Sequence, residues 1–251
     1  MEHIVFTKDQ GFATITMARG KANAFNTAMV AELNAALEDA KSDDAVKAVV
    51  LTSNRPRFFS AGFDANEVFS YNREEMTEYL TAYGGLVHRV FHYPKPTLAV
   101  MPGHAFAGGA IVALGCDFRL WVDGEYGYAL NEVNVGVVIP PHLFSMLKDA
   151  AGPAWARRMV LTGDPVNPRQ ALAVGLVDEV VEEANLGEAA ARWVALLMTK
   201  SGPAYTAIKA NIRKANGHDA SSAHYLTPDV NAWFTPEAEA RKQAIRAKLK
   251  R

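Results

Sequence analysis

Phe58-Phe59-Ser60-Ala61-Gly62-Phe63-Asp64, and further along Gly103-His104-Ala105-Phe106-Ala107-Gly108-Gly109, decide the reading of this chain. Each follows a stretch with the composition of a strand: Val46 to Thr52 (VKAVVLT) before the first, Thr97 to Met101 (TLAVM) before the second. A strand that stops at glycine and opens into a helix leaves amide hydrogens without intrahelical partners, and these can hold an anion. Two such turns facing one another make an oxyanion hole for negative charge developing on a carbonyl oxygen. One glycine turn alone is what close helix–strand packing also produces. The pair, in this order, says more.

Working outward, strands and helices alternate. His3 to Thr7 and Phe12 to Met17 read as a hairpin around Gln10-Gly11. Thr27 to Lys41 places Met29, Val30, Leu33 and Leu37 on one helical stripe, with Asn26 or Thr27 as cap. A helix from about Arg73 to Phe91 stops at Tyr93-Pro94-Lys95-Pro96, and a helix over Ala107 to Gly115 leads into a strand over Phe118 to Val122. This order implies parallel pairing with right-handed crossovers. From Pro140 on, helices dominate: Pro141 to Ala150, Pro153 to Leu161, Pro168 to Val174, Gly187 to Lys200, Pro203 to Ala215 and Pro236 to Lys250.

The 251 residues are 49% hydrophobic and 21% charged, enough apolar material for one sizeable core. The net charge of −1 gives no field that favours nucleic acid or an anionic membrane. No apolar run reaches the ~18 residues of a membrane span. The single Cys116 is expected to be a buried structural thiol in a reducing compartment. The N-terminus enters a strand at once, without the pattern of a signal peptide, so a cytoplasmic location is expected. The seven histidines lack metal-ligand spacing, so no metal is expected. No Gly-x-Gly-x-x-Gly fingerprint or Gly-x-Ser-x-Gly elbow is present, which argues against a dinucleotide cofactor and a hydrolase triad.

The two turns, with Ala24-Phe25-Asn26, Cys116-Asp117-Phe118-Arg119, Asn131-Glu132-Val133-Asn134-Val135-Gly136, Leu161-Thr162-Gly163 and Ala171-Leu172-Ala173-Val174-Gly175-Leu176-Val177-Asp178, resemble the crotonase (enoyl-CoA hydratase/isomerase) superfamily over nearly the whole chain. The resemblance implies an α/β fold, the crotonase (ClpP-like) fold of repeated β-β-α units. It implies a core over residues 1–185 and a helical trimerisation and CoA-binding region over 186–251, together one functional domain. It places the hole on the N–H groups of Phe63 and Gly108. The substrate would be an acyl-CoA thioester, with CoA part of the substrate and no separate cofactor. Lys21-Ala22-Asn23-Ala24 matches the loop beside the pantetheine and adenosine, with Arg57 and Phe59 on the adenine side. Ala61, Asp64 and Ile111 complete the expected substrate-lining set, although Asp64 and Asn66 have the simpler reading of a helix cap. The basic tail (Arg241, Lys242, Arg246, Lys248, Lys250, Arg251) has two readings, a solvated helix face or a partner for the 3′-phosphate.

Glu132 stands in the apolar stretch Tyr128-Ala129-Leu130-Asn131-Glu132-Val133. Locally this reads as a surface acid on an edge strand; the resemblance instead makes it the base, with a pKa raised by burial. Hydratases of the superfamily usually carry a second glutamate three residues after the oxyanion glycine, where this chain has Ile111. A lone acid suffices for moving a proton between two allylic carbons. The expected activity is therefore Δ3,Δ2-enoyl-CoA isomerisation. The alternatives are 2-enoyl-CoA hydration and a non-catalytic acyl-CoA- or RNA-binding homologue. Trp193, Leu196, Leu197, Tyr225, Trp233 and Phe234 exceed what the tail could bury alone, and a homotrimer or hexamer is expected.

Overall fold

Ile4–Asp9 (β1) and Phe12–Met17 (β2) pair antiparallel through Gln10 and Gly11, both at positive φ (48° and 87°), a turn whose twist matches its strands. The later strands are Ala48–Ser53 (β3), Phe58–Ser60 (β4), Thr97–Met101 (β5), His104–Phe106 (β6), Phe118–Val122 (β7), Tyr128–Ala129 (β8) and Glu179–Val181 (β9). They form two sheets. The larger has the order β1-β2-β3-β5-β7-β9, parallel from β2 onward; the smaller is the parallel trio β4-β6-β8. The computed structural model describes residues 1–218, 220–221 and 228–249. Tyr225, Lys250 and Arg251, and the side chain of Leu249, lie outside the described residues.

The helices are Thr27–Ser42 (α1), Arg73–Phe91 (α2), Gly108–Gly115 (α3), Glu132–Val135 (α4), Pro141–Thr162 (α5), Pro168–Ala173 (α6), Leu186–Lys200 (α7), Pro203–Ala215 (α8) and Pro236–Leu249 (α9). Asn26 caps α1 by accepting from Met29 N at 3.0 Å, and Asn72 and Glu75 close a capping box on α2. Alternation along the strands divides the core in two. Val49, Leu51, Ala99 and Met101 join the main core with Met29, Leu33 and Leu37 of α1 and Leu86 and Val90 of α2. Ala48, Val50, Leu98, Val100 and Leu120 face the other way and are covered by Ala189, Val194 and Leu197 of α7. Burying each Val or Leu of that layer contributes roughly 1.5–3 kcal/mol. Residue 185 is thus no break in packing, because α7 supplies the second cover of the sheet.

The two helices expected over 141–161 are present within Pro141–Thr162, divided at Gly152, whose backbone is non-helical (φ 74°, ψ 162°). Among the described residues, no helix is long and apolar enough to cross a membrane.

Candidate active site

Each long strand β3, β5 and β7 is followed by a short strand of the small sheet, and the chain leaves all three short strands at one end. Phe63, Gly108 and Glu132 lie three, two and three residues beyond the ends of β4, β6 and β8. The parallel register of the trio therefore brings together three residues that are far apart in sequence.

Phe25 N donates to Gly62 O (2.7 Å) and Phe25 O accepts from Asp64 N (2.8 Å). In such a parallel bridge the residue between the two partners, Phe63, turns its own N–H to the opposite side. A methyl group on Gly62 would lie 2.9 Å from Ala107 Cβ and Phe106 O and 3.2 Å from Gly108 N, so the two glycine turns touch. Ala107 bridges them in a strained conformation, φ 45° and ψ −123°, a region that favours glycine. Its N–H donates to Ala129 O (2.8 Å), and its carbonyl accepts from Ile111 N (3.0 Å). The N–H and C=O of a trans peptide point in opposite directions. With the Ala107 carbonyl held inside α3, the Gly108 N–H must point out of the helix. Among the described residues, neither Phe63 N–H nor Gly108 N–H donates to another group.

Glu132 is the first residue of the four-residue α4, closed at Gly136 in the left-handed conformation (φ 79°), and is not on an edge strand. The residue is half-buried, but its Oε2 is sealed from solvent with no hydrogen-bond partner. Burial pushes its pKa from 4.5 up to about 7, while its own backbone N–H pulls weakly the other way. A carboxyl whose pKa is raised toward neutrality, at the same end of the small sheet as two N–H groups without acceptors, has the chemistry to take and return a carbon-bound proton.

The remaining expected residues divide into groups. Lys21 is exposed, and Ala22 and Ala24 are half-buried in a loop tied to the first turn: Ala61 N donates to Ala22 O at 2.9 Å. Asn23, fully buried at φ 48°, holds that loop from within, its amide donating to Ser53 Oγ (2.6 Å) and Phe59 O (3.1 Å). Asp64 forms an ion pair with Arg19 (2.7 Å) and accepts from Asn66 N (2.9 Å) in a local turn. The helix cap expected of it is absent, because the next helical turn, Val68–Ser70, begins after Glu67 and has no side-chain cap. Phe59 is a correction: its ring is fully buried in the main core, leaving no side-chain surface for an adenine. Ile111 is buried one turn into α3, a helix whose eight residues include no acid. In the tail, Arg241 donates to the carbonyl of Val133 in α4, and Lys242 is buried against Phe234 and paired with Glu239 at 2.5 Å. Those two cations are already engaged by the protein.

Aromatic side chains that the sequence did not place at the site gather there, among them Trp233, expected instead at a subunit contact. Trp233, brought in just before α9, stacks on the Phe63 ring at 5.9 Å (26°). Tyr79 and Tyr83 of α2 meet the same ring edge-on at 5.0 and 4.7 Å. Tyr83 is buried close enough to feel the Glu132 charge, which, after burial itself, helps hold its phenol far above the usual range. Their only sequence signal was membership in an amphipathic helix.

Elsewhere, the Cys116-Asp117-Phe118-Arg119 stretch is structural. Asp117 accepts from Lys209 (2.8 Å) and Arg213 (2.7 Å) of α8 beside a cavity of about 390 Å³. Arg119 donates to the carbonyls of Leu176 and Cys116, and burial lifts the Cys116 thiol to about 12, which keeps it protonated.

Comparison with known proteins agrees with this geometry. The family described as "Enoyl-CoA hydratase/isomerase" matches residues 7–247. The mitochondrial enoyl-CoA delta isomerase 1 of Rattus norvegicus is 32% identical over 208 residues, 82% of this chain and 72% of that protein. A putative enoyl-CoA hydratase of Thermus thermophilus is 34% identical over 230 residues, 90% and 88% of the two chains. Human mitochondrial delta3-delta2-enoyl-CoA isomerase superposes with a TM-score of 0.91 at 28% identity, over 99% of this chain and 98% of that one.

Proposed function

Since the chain belongs to the enoyl-CoA hydratase/isomerase family, we propose that it moves the double bond of a 3-enoyl-CoA to the 2-position. The thioester oxygen accepts from Phe63 N–H and Gly108 N–H. Glu132 removes a proton from C2; the electron pair spreads over C2 to C4 and the carbonyl oxygen as a dienolate. The same carboxyl then delivers the proton to C4, leaving a 2-trans double bond. No electrons are gained or lost overall, and CoA enters only as part of the substrate.

The observation that carries this reading is the lone acid. Glu132 is the single carboxyl among the described residues with a sealed, unpartnered oxygen, and α3 offers the apolar Ile111 where hydration would call for a second carboxylate. Hydration of 2-enoyl-CoA is the second reading, favoured by the Thermus thermophilus relative. Assaying 3-enoyl-CoA and 2-enoyl-CoA side by side separates the two. Isomerisation should dominate and fall ~10²–10⁴-fold in Glu132→Gln. Wild-type hydration as fast as isomerisation would overturn the proposal.

Self-association into a trimer or hexamer belongs to the same reading, but its support shifts. Leu197 and Trp233 are buried, and Trp193 and Phe234 half-buried, within the chain itself. Exposed large apolar side chains among the described residues include Leu161, Leu172, Ile208 and Ile212, together with Leu196 of the expected set.

A further inference from the structure

We propose that Tyr83 is a positioning residue of the oxyanion hole, its hydroxyl fixing the peptide that follows Gly108 and its ring fixing the Phe63 side chain. The Tyr83 hydroxyl donates to Gly108 O at 2.7 Å. Its ring meets that of Phe63 at 4.7 Å and 84°, edge to face. One buried side chain thus touches both residues whose N–H groups form the hole, and a methyl group on Gly108 would stand 3.2 Å from its hydroxyl oxygen.

The need for such a contact follows from local sequence. α3 opens with Gly108-Gly109, and glycine loses more conformational freedom on ordering than any other residue. Ala107 N–H to Ala129 O ties the turn to the small sheet, and Ile111 N–H to Ala107 O holds the peptide before Gly108 from within α3. Tyr83 holds the peptide after it, from the opposite wall. It stands on α2, which is anchored by its own capping box and so offers a rigid support. A phenylalanine would fill nearly the same volume, so the hydroxyl is there for its bond to a carbonyl.

This inference rests on the reading that Phe63 and Gly108 hold the thioester carbonyl, and one substitution tests both. Tyr83→Phe keeps the ring contact and removes the bond. We expect kcat for 3-enoyl-CoA to fall between about ten- and a hundred-fold, the cost of a slightly misplaced group, with KM little changed. The acid limb of the pH profile should stay in place, because the hydroxyl is not bonded to Glu132. A saturated acyl-CoA carrying a 13C carbonyl, which binds without turnover, supplies an independent readout. Its C=O stretch should drop on binding the wild type and return part of the way towards the free value in Tyr83→Phe. Tyr93→Phe is the matched control: it loses an equally buried hydroxyl bond, to Leu37 O at 2.7 Å, and should leave kcat and the stretch unchanged. A shifted wild-type carbonyl that Tyr83→Phe leaves in place, with unchanged kcat, removes the role of Tyr83 alone. A wild-type carbonyl with no shift removes the hole itself, and the proposal with it.

Discussion

Glu132→Gln should disable the enzyme and, above neutral pH, make it more stable. Folding lifts this carboxyl from 4.5 to about 7 because its ionised form loses water and is only partly compensated by its own backbone N–H. A carboxyl whose folded pKa is raised contributes its full stabilisation below the unfolded pKa, where it is protonated in both states. That contribution is lost as pH rises through the folded value. Two and a half units at 1.36 kcal/mol each give a ceiling of roughly 3 kcal/mol lost between about pH 4.5 and pH 7.5. Glutamine has nearly the same shape and never ionises, so it escapes the loss. At pH 8 the variant should exceed the wild type by up to roughly 3 kcal/mol, or about 6–12 °C in Tm for a chain of this length. At pH 4.5 the two should nearly coincide. Paired denaturant titrations across this range isolate the effect, since every other titrating group is common to both proteins. A stability difference that does not change with pH would refute the argument, because the carboxyl would then not be desolvated in the folded state.

Four further outcomes are expected. The rate of isomerisation should rise with pH through a limb near 7, the proton-binding value of the buried Glu132, whereas a limb near 4.5 would mean a solvated base. Gly108→Ala would place its methyl 2.8 Å from Phe63 Cε1, and displacing that donor should cost ~10²–10³-fold in kcat; an unchanged rate in the folded variant would count against the hole. Ala107→Gly relieves a conformation worth about 1–3 kcal/mol at the expense of about 0.5–1 kcal/mol of chain entropy, so its Tm should rise; a fall would show that the methyl contact outweighs the strain. Ile111→Glu should introduce weak 2-enoyl-CoA hydration and lower stability, and the absence of any water adduct by chromatography would show that a second acid here is insufficient.

What could be read in the sequence follows from length. The long elements carry a period over enough residues to be seen, and Arg73–Phe91, Thr97–Met101 and Phe118–Val122 stand where periodicity and stop signals place them. The small sheet was invisible, because strands such as Phe58–Ser60 and Tyr128–Ala129 are too short to show alternation. For the same reason α4 was missed, although Gly136 in the left-handed region is the mark of a helix end. Glycines and a lone acid advertise themselves where the surroundings are apolar. Asn23 and Tyr83 act through buried bonds to carbonyls distant in sequence, and no local pattern announces such a bond.

The small sheet has a consequence for how this chain can change. Each of its strands ends a separate structural repeat, and each repeat delivers one functional group from an equivalent exit: a donor, a donor, an acid. The exits are held in relative position by strand pairing, with the first two also in contact through their glycine turns. The loop after Ala129 could therefore be exchanged for one with a different proton-handling side chain while the two donors stay in place. The catalytic centre is in this sense modular, three interchangeable fittings on one rigid rail.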